Sequence, residues 1–138
     1  LMTGTTTLAA QNEAYPNKPV KVIVPIAPGG SSDTIARIVS DKLRETWDSP
    51  VIVENMAGAG GTIGASKGAH ATPDGYTLVA HGDAVVLNPI VRKNSNYELN
   101  DFIGVNRFVV NPQVLVVHPD FGPKTLDEYV QFAKKSTR

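Results

Sequence analysis

The sequence contains no cysteine among its 138 residues. Disulfide bonds, thiolate nucleophiles and cysteine-ligated zinc are therefore excluded together. Its three histidines, His70, His81 and His118, are widely separated, and none belongs to an HExxH spacing. No apolar run approaches the roughly 20 residues that a membrane-spanning helix needs. We therefore expect neither a metal site nor a membrane-spanning helix in this chain.

The sequence also lacks a surplus of charge of either sign, because 13 basic residues balance 13 acidic ones. It thus has no electrostatic footprint for nucleic acid or for an anionic membrane surface. Hydrophobic residues make up 41% and charged residues 19%, which is typical of a globular chain with a packed core. Any anion that the protein binds must therefore be held by local geometry.

Residues 1–14 are interpreted as a signal-peptide remnant or a disordered tail. The segment LMTGTTTLAA ends in the small residues Ala9 and Ala10, where a signal peptidase could cut, but it has no positively charged start. Both interpretations stay open. The first of them predicts export to the periplasm.

Strand, glycine-containing turn and helix follow one another three times between residues 20 and 87. The predicted strands are Val20–Val24, Val51–Val53 and Tyr76–Ala80. The first predicted helix begins at Ser31 or Ser32, and we expect one of these serines to cap it. The second begins near Thr62. The third begins at Ala84 and is stopped by Asn88-Pro89. This order predicts an α/β fold with an open, mainly parallel sheet and flanking helices.

The later part of the chain has a different pattern. Phe102–Val110 and Val114–Val117 are predicted as two strands separated by Asn111-Pro112, and apolar residues from Leu126 to Ala133 predict a final helix. Trp47, at the end of the first helix, is predicted to serve packing.

Two loops, residues 27–33 and 57–62, follow predicted strands and open helices. Their glycines allow positive φ and remove the Cβ that would keep a ligand away from the backbone. The free N–H groups of a helix's first turn converge on one point, and the helix dipole favours negative charge there. Parallel topology places such loops together beyond the carboxyl ends of the strands. The two loops therefore predict a carboxylate site, although tight turns also need glycine for purely structural reasons.

Two enzyme classes are alternatives. Gly58, Gly60 and Gly64 form GxGxxxG after a strand, with Asp83 placed as a ribose-binding acid, which would suit an NAD(P)-binding fragment of an oxidoreductase. The strict fingerprint, however, has its third glycine where Ile63 stands. A hydrolase would use Ser31, Ser32, His81 and Asp83, but no GxSxG elbow is present.

Read in order, several motifs resemble the substrate-binding receptors of tripartite tricarboxylate transporters, the Bug family. The segments that carry the resemblance are YPNKPVKVIVPIAPGGSSDTIAR, VIVENMAGAGGTIGASKGAHATPDGYTLVAHGD, NPI, YELNDFIGV and PQVLVVHPD. They span Tyr15 through Lys135, nearly the whole chain. The combination of APGGxxD, GAGGxxGA and PDGYTL in this order is specific, whereas no single motif would be.

The resemblance implies a periplasmic binding protein of two α/β lobes that closes on a ligand, is not an enzyme and needs no cofactor. Its ligand would be a di- or tricarboxylate, an amino acid or an aromatic acid, and its partners would be membrane transporter subunits. Two loops of the first lobe, with the turn after the third strand as a further wall, would form the site. The residues carried over are Ala27, Pro28, Gly29, Gly30, Asp33, Ala59, Gly60, Gly61, Thr62, Gly82 and Asp83.

Asp33 is an unexpected neighbour for an anion, because like charges repel. We assign it to capping the helix or ordering the N–H groups of its loop. Two departures from the family pattern concern the site. Asn55-Met56-Ala57 replaces the usual basic residue and proline before GAGG, and Gly82-Asp83 replaces small hydroxyl residues. An acid at position 83 would select a ligand with an amino group or disfavour a second carboxylate nearby.

The resemblance also predicts how the chain divides. We expect residues 15–113 to form an incomplete first domain, and residues 114–138 to be a crossover strand and the first helix of a second domain that is largely missing. A good small-molecule site buries about 70–90% of its ligand, and one lobe does not achieve this. We therefore expect this half-receptor to bind only weakly, with a Kd on the order of millimolar or poorer.

Overall fold

The structure is a computed structural model that describes residues 14–110, 112 and 114–136. All but the last residue of the predicted signal-peptide remnant or tail lies outside the described residues. The chain separates into two compact units, residues 1–106 and residues 107–138. The domain boundary expected after residue 113 stays a prediction.

A parallel sheet of three strands forms the centre of the first unit. The strands are β1 (Val20–Val24), β2 (Val51–Asn55) and β3 (Thr77–Val79). Their order is β2-β1-β3, and Val22 of β1 lies opposite Val53 and Leu78. The β-branched run of β1 is buried, as expected of a strand covered on both faces. The predicted open parallel sheet of an α/β fold is confirmed.

Among the described residues, four α-helices accompany the sheet and the later part of the chain. They are α1 (Ser31–Trp47), α2 (Thr62–Ala69), α3 (Ala84–Val91) and α4 (Leu126–Lys135). Ala36 of α1 packs with Val22, Val24 and Val51 in the core, and Trp47 lies beside it, which confirms the packing role predicted for this tryptophan.

The predicted serine cap of α1 is wrong. Gly30 is the N-cap residue, and no side chain caps the helix there. Ser31 and Ser32 instead lie inside its first turn. Asp33 takes over the ordering of this loop, because its Oδ2 accepts a hydrogen bond from the Gly29 N–H at 2.9 Å. The Asp33 carboxylate thus orders the loop before the helix, and no side chain caps the amides of the first turn.

The predicted end of α3 at Asn88-Pro89 is also wrong, since the helix continues through Pro89 to Val91. Proline has no N–H, so it cannot donate to the carbonyl of Val85, four residues earlier. The Tyr97 hydroxyl donates to this carbonyl at 3.1 Å. A side chain from outside the helix therefore supplies the hydrogen bond that the proline removes.

The two strands predicted at Phe102–Val110 and Val114–Val117 are wrong as well. Neither segment has the backbone ladder of a strand in the part of the chain that the structure describes. Ile103 is 92% exposed and Val116 is 79% exposed. A run of β-branched residues becomes a strand only where a neighbouring strand pairs with it, because β-propensity reflects context.

The final helix is confirmed, and α4 begins with a cap. The Thr125 side chain accepts from the Glu128 N–H at 3.2 Å, and the Glu128 carboxylate accepts from the Lys124 N–H. Phe121 packs against Tyr129 and Phe132 of this helix, with ring centroids 6.2 and 5.0 Å away. These contacts lie within the second unit.

We expect Tyr97→Phe to lower the free energy of unfolding by about 1–2 kcal/mol, because the Val85 carbonyl would lose its hydrogen bond. Urea unfolding followed by circular dichroism measures this change. Tyr129→Phe is the control, since no hydrogen bond of its hydroxyl is found among the described residues. Equal unfolding free energies for Tyr97→Phe and the unsubstituted chain would show that the proline needs no replacement donor.

Candidate functional site

The carboxyl ends of the three strands meet at one edge of the sheet, and the three predicted site loops leave from this edge. The loop after β1 leads to α1, the loop after β2 to α2, and the loop after β3 to α3. We call them the first, second and third loops. Ligands of open α/β sheets bind at this edge.

The second loop lies directly against the end of β1 because glycines occupy the positions of contact, Gly61 in the loop and Gly64 in α2. A Cβ added at Gly64 would lie 2.8 Å from the Met56 carbonyl oxygen and 2.9 Å from Cα of Pro25. At Gly61 it would lie 3.3 Å from the Pro25 carbonyl oxygen. Glycine at these two positions therefore permits the close approach.

In the first loop, Asp33 is a buried carboxylate whose oxygens are fully engaged by the protein. It is 3% exposed. Its Oδ2 accepts from Arg37 Nε at 3.1 Å as well as from the Gly29 N–H, and its Oδ1 accepts from Asn55 Nδ2 at 2.8 Å. The Arg37 guanidinium, with the Gly29 amide and the Asn55 side chain, lowers the pKa of Asp33 to about 2. Asp33 therefore orders the loop through Gly29.

Some of the amides expected to face a ligand are already used. The Gly29 N–H donates to Asp33, the Gly61 N–H donates to the Gly58 carbonyl at 2.9 Å, and the Thr62 N–H donates to the Ala59 carbonyl. Their contribution to the predicted anion site is thereby removed.

The first turn of α1 keeps free amides. The Thr34 N–H makes the first backbone bond of the helix, to Gly30 at 3.0 Å. The N–H groups of Ser31, Ser32 and Asp33 precede it, and they find no acceptor among the described residues. The main-chain donors for an anion are therefore concentrated at this helix end.

The second loop is held by a residue that the sequence analysis took only as a helix stop. Asn88 is 6% exposed, and its Nδ2 donates to the Gly60 carbonyl at 3.0 Å. Its Oδ1 accepts from Arg92 Nε at 3.1 Å. Asn88 thus connects α3 with the second loop and holds the guanidinium group of Arg92 through its Nε.

Arg92 is a site residue that the sequence analysis missed. A Cβ at Gly60 would lie 2.6 Å from its Nη2, so the guanidinium rests on the second loop. Arg92 forms no ion pair with the described residues. Only its spacing of four residues from Asn88 on a helix could have pointed to this contact. It supplies a positive charge to the loop that lacks the usual basic residue before GAGG.

The third loop brings His81 against the second loop. A Cβ at Gly61 would lie 2.5 Å from His81 Nε2. Gly82 and Asp83 are exposed, with no atom within 4 Å of a Cβ added at Gly82. Burial lowers the pKa of His81, and the nearby Asp83 charge opposes this shift. Neither Ser31 nor Ser32 hydrogen-bonds to this histidine in the described part of the chain.

The described residues hold no group of three or more side chains able to bind a metal ion. Within them, no helix has the length and apolar character needed to cross a membrane. The arrangement consists of free amides, one unpaired guanidinium and a neutral histidine, all beyond the ends of parallel strands. Such an arrangement can hold an oxygen-rich anion without forming a covalent bond to it.

These features define a solute-binding protein of the α/β class. The chain belongs to the tripartite tricarboxylate transporter family of receptors, whose sequence model matches residues 35–137. The resemblance seen in the sequence is therefore confirmed. Because this is a family of binding proteins, the NAD(P)-dependent oxidoreductase and the hydrolase are set aside.

Individual relatives agree with this assignment. A protein of Agrobacterium vitis, encoded in the TAR-I ttuE-ttuC' intergenic region, is 38% identical over 130 residues, which are 94% of this chain and 38% of the relative. The structure of MatC from Rhodopseudomonas palustris with bound malate is 37% identical, with a TM-score of 0.59 over 88% of this chain and 42% of that one. The structure of the periplasmic binding protein BugD is 43% identical, with a TM-score of 0.58 over 61% of this chain and 28% of BugD. The chain thus spans about two fifths of the length of its curated relative.

We expect Gly64→Ala to lower the free energy of unfolding by about 1–3 kcal/mol, because the methyl group would overlap Pro25, directly after β1, and the Met56 carbonyl of the second loop. This loss should exceed the gain in helix propensity. Gly82→Ala is the matched control, since its added Cβ meets no atom. Urea unfolding of the two variants tests the difference, and equal stabilities would contradict the close packing.

We expect the unfolding free energy to fall with acidification through protonation of Asp33. Its folded pKa lies below the unfolded value, so the stabilisation is complete above about pH 4 and is lost as the pH falls toward 2. Asp33→Asn should flatten this dependence in urea unfolding measured between these pH values. Asp41→Asn, an exposed aspartate of the same helix, should not. Parallel pH profiles for Asp33→Asn and the unsubstituted chain would refute this role.

Proposed function

We propose that this chain carries the carboxylate-binding part of a periplasmic solute receptor, which captures a small organic acid and delivers it to a membrane transporter. The observation that supports it most is the free first turn of α1, where the N–H groups of Ser31, Ser32 and Asp33 have no acceptor among the described residues. A carboxylate placed there would complete these hydrogen bonds and meet the positive end of the helix dipole.

The charge balance around this helix end favours an anion in spite of Asp33. The Asp33 carboxylate is shared among Arg37, Asn55 and the Gly29 amide, so its charge is largely compensated within the protein. Arg92, in contrast, has no acidic partner in the described residues and rests on the second loop. Arg92 therefore supplies the proposed site with a positive charge that no ion pair neutralises among the described residues, although the chain as a whole is neutral.

The ligand class follows from the site and from a relative. MatC is similar to this chain and was solved with malate. Free amides with one guanidinium suit a carboxylate, and we propose a di- or tricarboxylate, an amino acid or an aromatic acid. Asp83, exposed on the third loop, would favour an amino group or disfavour a second carboxylate beside it.

The proposed contact set keeps the residues carried over from the family, with changed roles for some of them. The Asp33 carboxylate and the N–H groups of Gly29 and Gly61 shape the loops, since they bind within the protein. Ala27, Pro28, Gly30, Ala59 and Gly60 would line the site, and Arg92 is added to it. Residues 114–138 are proposed to begin a second domain, and the transporter subunits are proposed as partners.

Titration of the chain with malate, followed by amide nuclear magnetic resonance, tests this function. We expect saturable shifts of the Ser31, Ser32 and Asp33 amides, with a Kd on the order of millimolar. Arg92→Gln should raise the Kd about fivefold or more, because it removes a charge-assisted contact. Lys93→Gln is the control, since it removes the same charge from the next residue.

Reduced nicotinamide cofactor, citrate and an amino acid serve as comparison ligands. Shifts of these amides with the carboxylates alone agree with the proposal. If none of the carboxylates shifts the first turn of α1, or if the cofactor alone does so, the proposed function is wrong. An equal effect of the two substitutions would remove Arg92 from the site.

A further inference from the structure

Two polar side-chain atoms in the described part of the chain are buried without a hydrogen-bond partner. They are Thr62 Oγ1 and His81 Nε2. Thr62 is only 7% exposed, so its hydroxyl has little access to solvent. Buried polar groups in native proteins are almost always paired, and exceptions need an explanation. Two exceptions at one edge of one sheet suggest a common cause.

The two residues that carry these atoms are both neighbours of Gly61, one along the chain and one in space. Thr62 follows Gly61 in the chain, and His81 Nε2 lies 2.5 Å from the point where a Gly61 side chain would begin. Gly61 has φ of +91°, which a residue with a side chain rarely adopts. The His81 ring therefore lies against Gly61, the residue directly before Thr62, beyond the end of β1.

The hydrogen bond at the other ring nitrogen determines the tautomer of His81. The Gly82 N–H donates to His81 Nδ1 at 2.7 Å, so Nδ1 must present a lone pair. The proton of the neutral ring is then on Nε2. Burial keeps the pKa of His81 below its ordinary value, which favours this neutral form at neutral pH. His81 Nε2–H is therefore a hydrogen-bond donor with no acceptor.

We propose that His81 Nε2–H and the Thr62 hydroxyl each bind an oxygen of the organic acid and so determine which acids the receptor accepts. The inference rests on the proposed function, because it places a second contact in the same site. An N–H donor cannot accept a bond from an ammonium group. His81 therefore selects a carboxylate, carbonyl or hydroxyl oxygen opposite Nε2 and rejects an amino group there, whereas the Thr62 hydroxyl can donate to the same acid.

Three substitutions separate the effect of losing a hydrogen-bond donor from the effect of changing the shape of the site. Thr62→Val keeps the volume and removes the hydroxyl. An asparagine side-chain oxygen can replace Nδ1, whereas a glutamine side-chain nitrogen can replace Nε2. His81→Asn therefore keeps the bond from Gly82 and loses the donor, and His81→Gln restores the donor.

Malate binding by the 138-residue chain is measured for each variant by amide nuclear magnetic resonance. We expect Thr62→Val and His81→Asn to raise the Kd about tenfold each, and His81→Gln to stay within about threefold of the unsubstituted chain. Thr46→Val and His70→Ala are controls, because the Thr46 hydroxyl bonds to Lys42 and the His70 ring bonds to Ser66. They should leave the Kd unchanged.

Two further readouts distinguish ligand contact from a structural role. The 15N signal of His81 Nε2 should shift on addition of malate. Thr62→Val should melt at the same temperature as the unsubstituted chain or higher, because it removes a hydroxyl that has no partner. A markedly lower melting temperature would assign the hydroxyl to the fold and overturn the inference.

The inference and the proposed function fail in different ways. If malate shifts the Ser31 and Ser32 amides but leaves His81 Nε2 and the affinity of Thr62→Val unchanged, the inference is wrong and the function stands. If malate, succinate and citrate shift neither group up to about 50 mM, where millimolar binding would be near saturation, both are wrong.

Discussion

The site depends on one buried carboxylate. Asp33 is the point at which the first loop, helix α1 and strand β2 are joined, through Gly29, Arg37 and Asn55. These donors hold the start of α1 at the carboxyl edge of the sheet and leave the amides of its first turn without acceptors. A serine cap would have bonded to one of those amides. The aspartate thus orders the loop and keeps the helix end available.

The other two loops follow from how closely the backbone can approach β1. Gly64 and Gly61 allow the second loop to lie on the end of that strand, where Asn88 and Arg92 of α3 reach it. His81 then lies over Gly61. The polar groups left over at this edge include several donors, namely three amides, one guanidinium and one imidazole N–H. Local geometry of this kind is what the proposed anion site of a neutral chain depends on.

Elements set by local pattern could be predicted, and elements that need a distant partner could not. The strand Val20–Val24 has the predicted bounds and helix α2 begins at the predicted residue, Thr62, because burial and glycine turns define them locally. Helix α3 passes through Pro89 because Tyr97 replaces its missing donor. The valine-rich segments after residue 102 are not strands in the described residues, since strand formation requires a pairing partner. Arg92 was missed because its contact with Gly60 spans 32 residues.

The sequence by itself determined the family, the α/β order and the two glycine loops that follow buried strands. These features are encoded by neighbouring residues, whose periodicity and backbone freedom act over a few positions. Only the tertiary structure decided which amides stay free and which are consumed by Asp33, Gly58 and Ala59. It also decided that the His81 ring lies against Gly61. A hydrogen-bond partner is chosen by distance in space, which the fold sets and the order of residues alone does not.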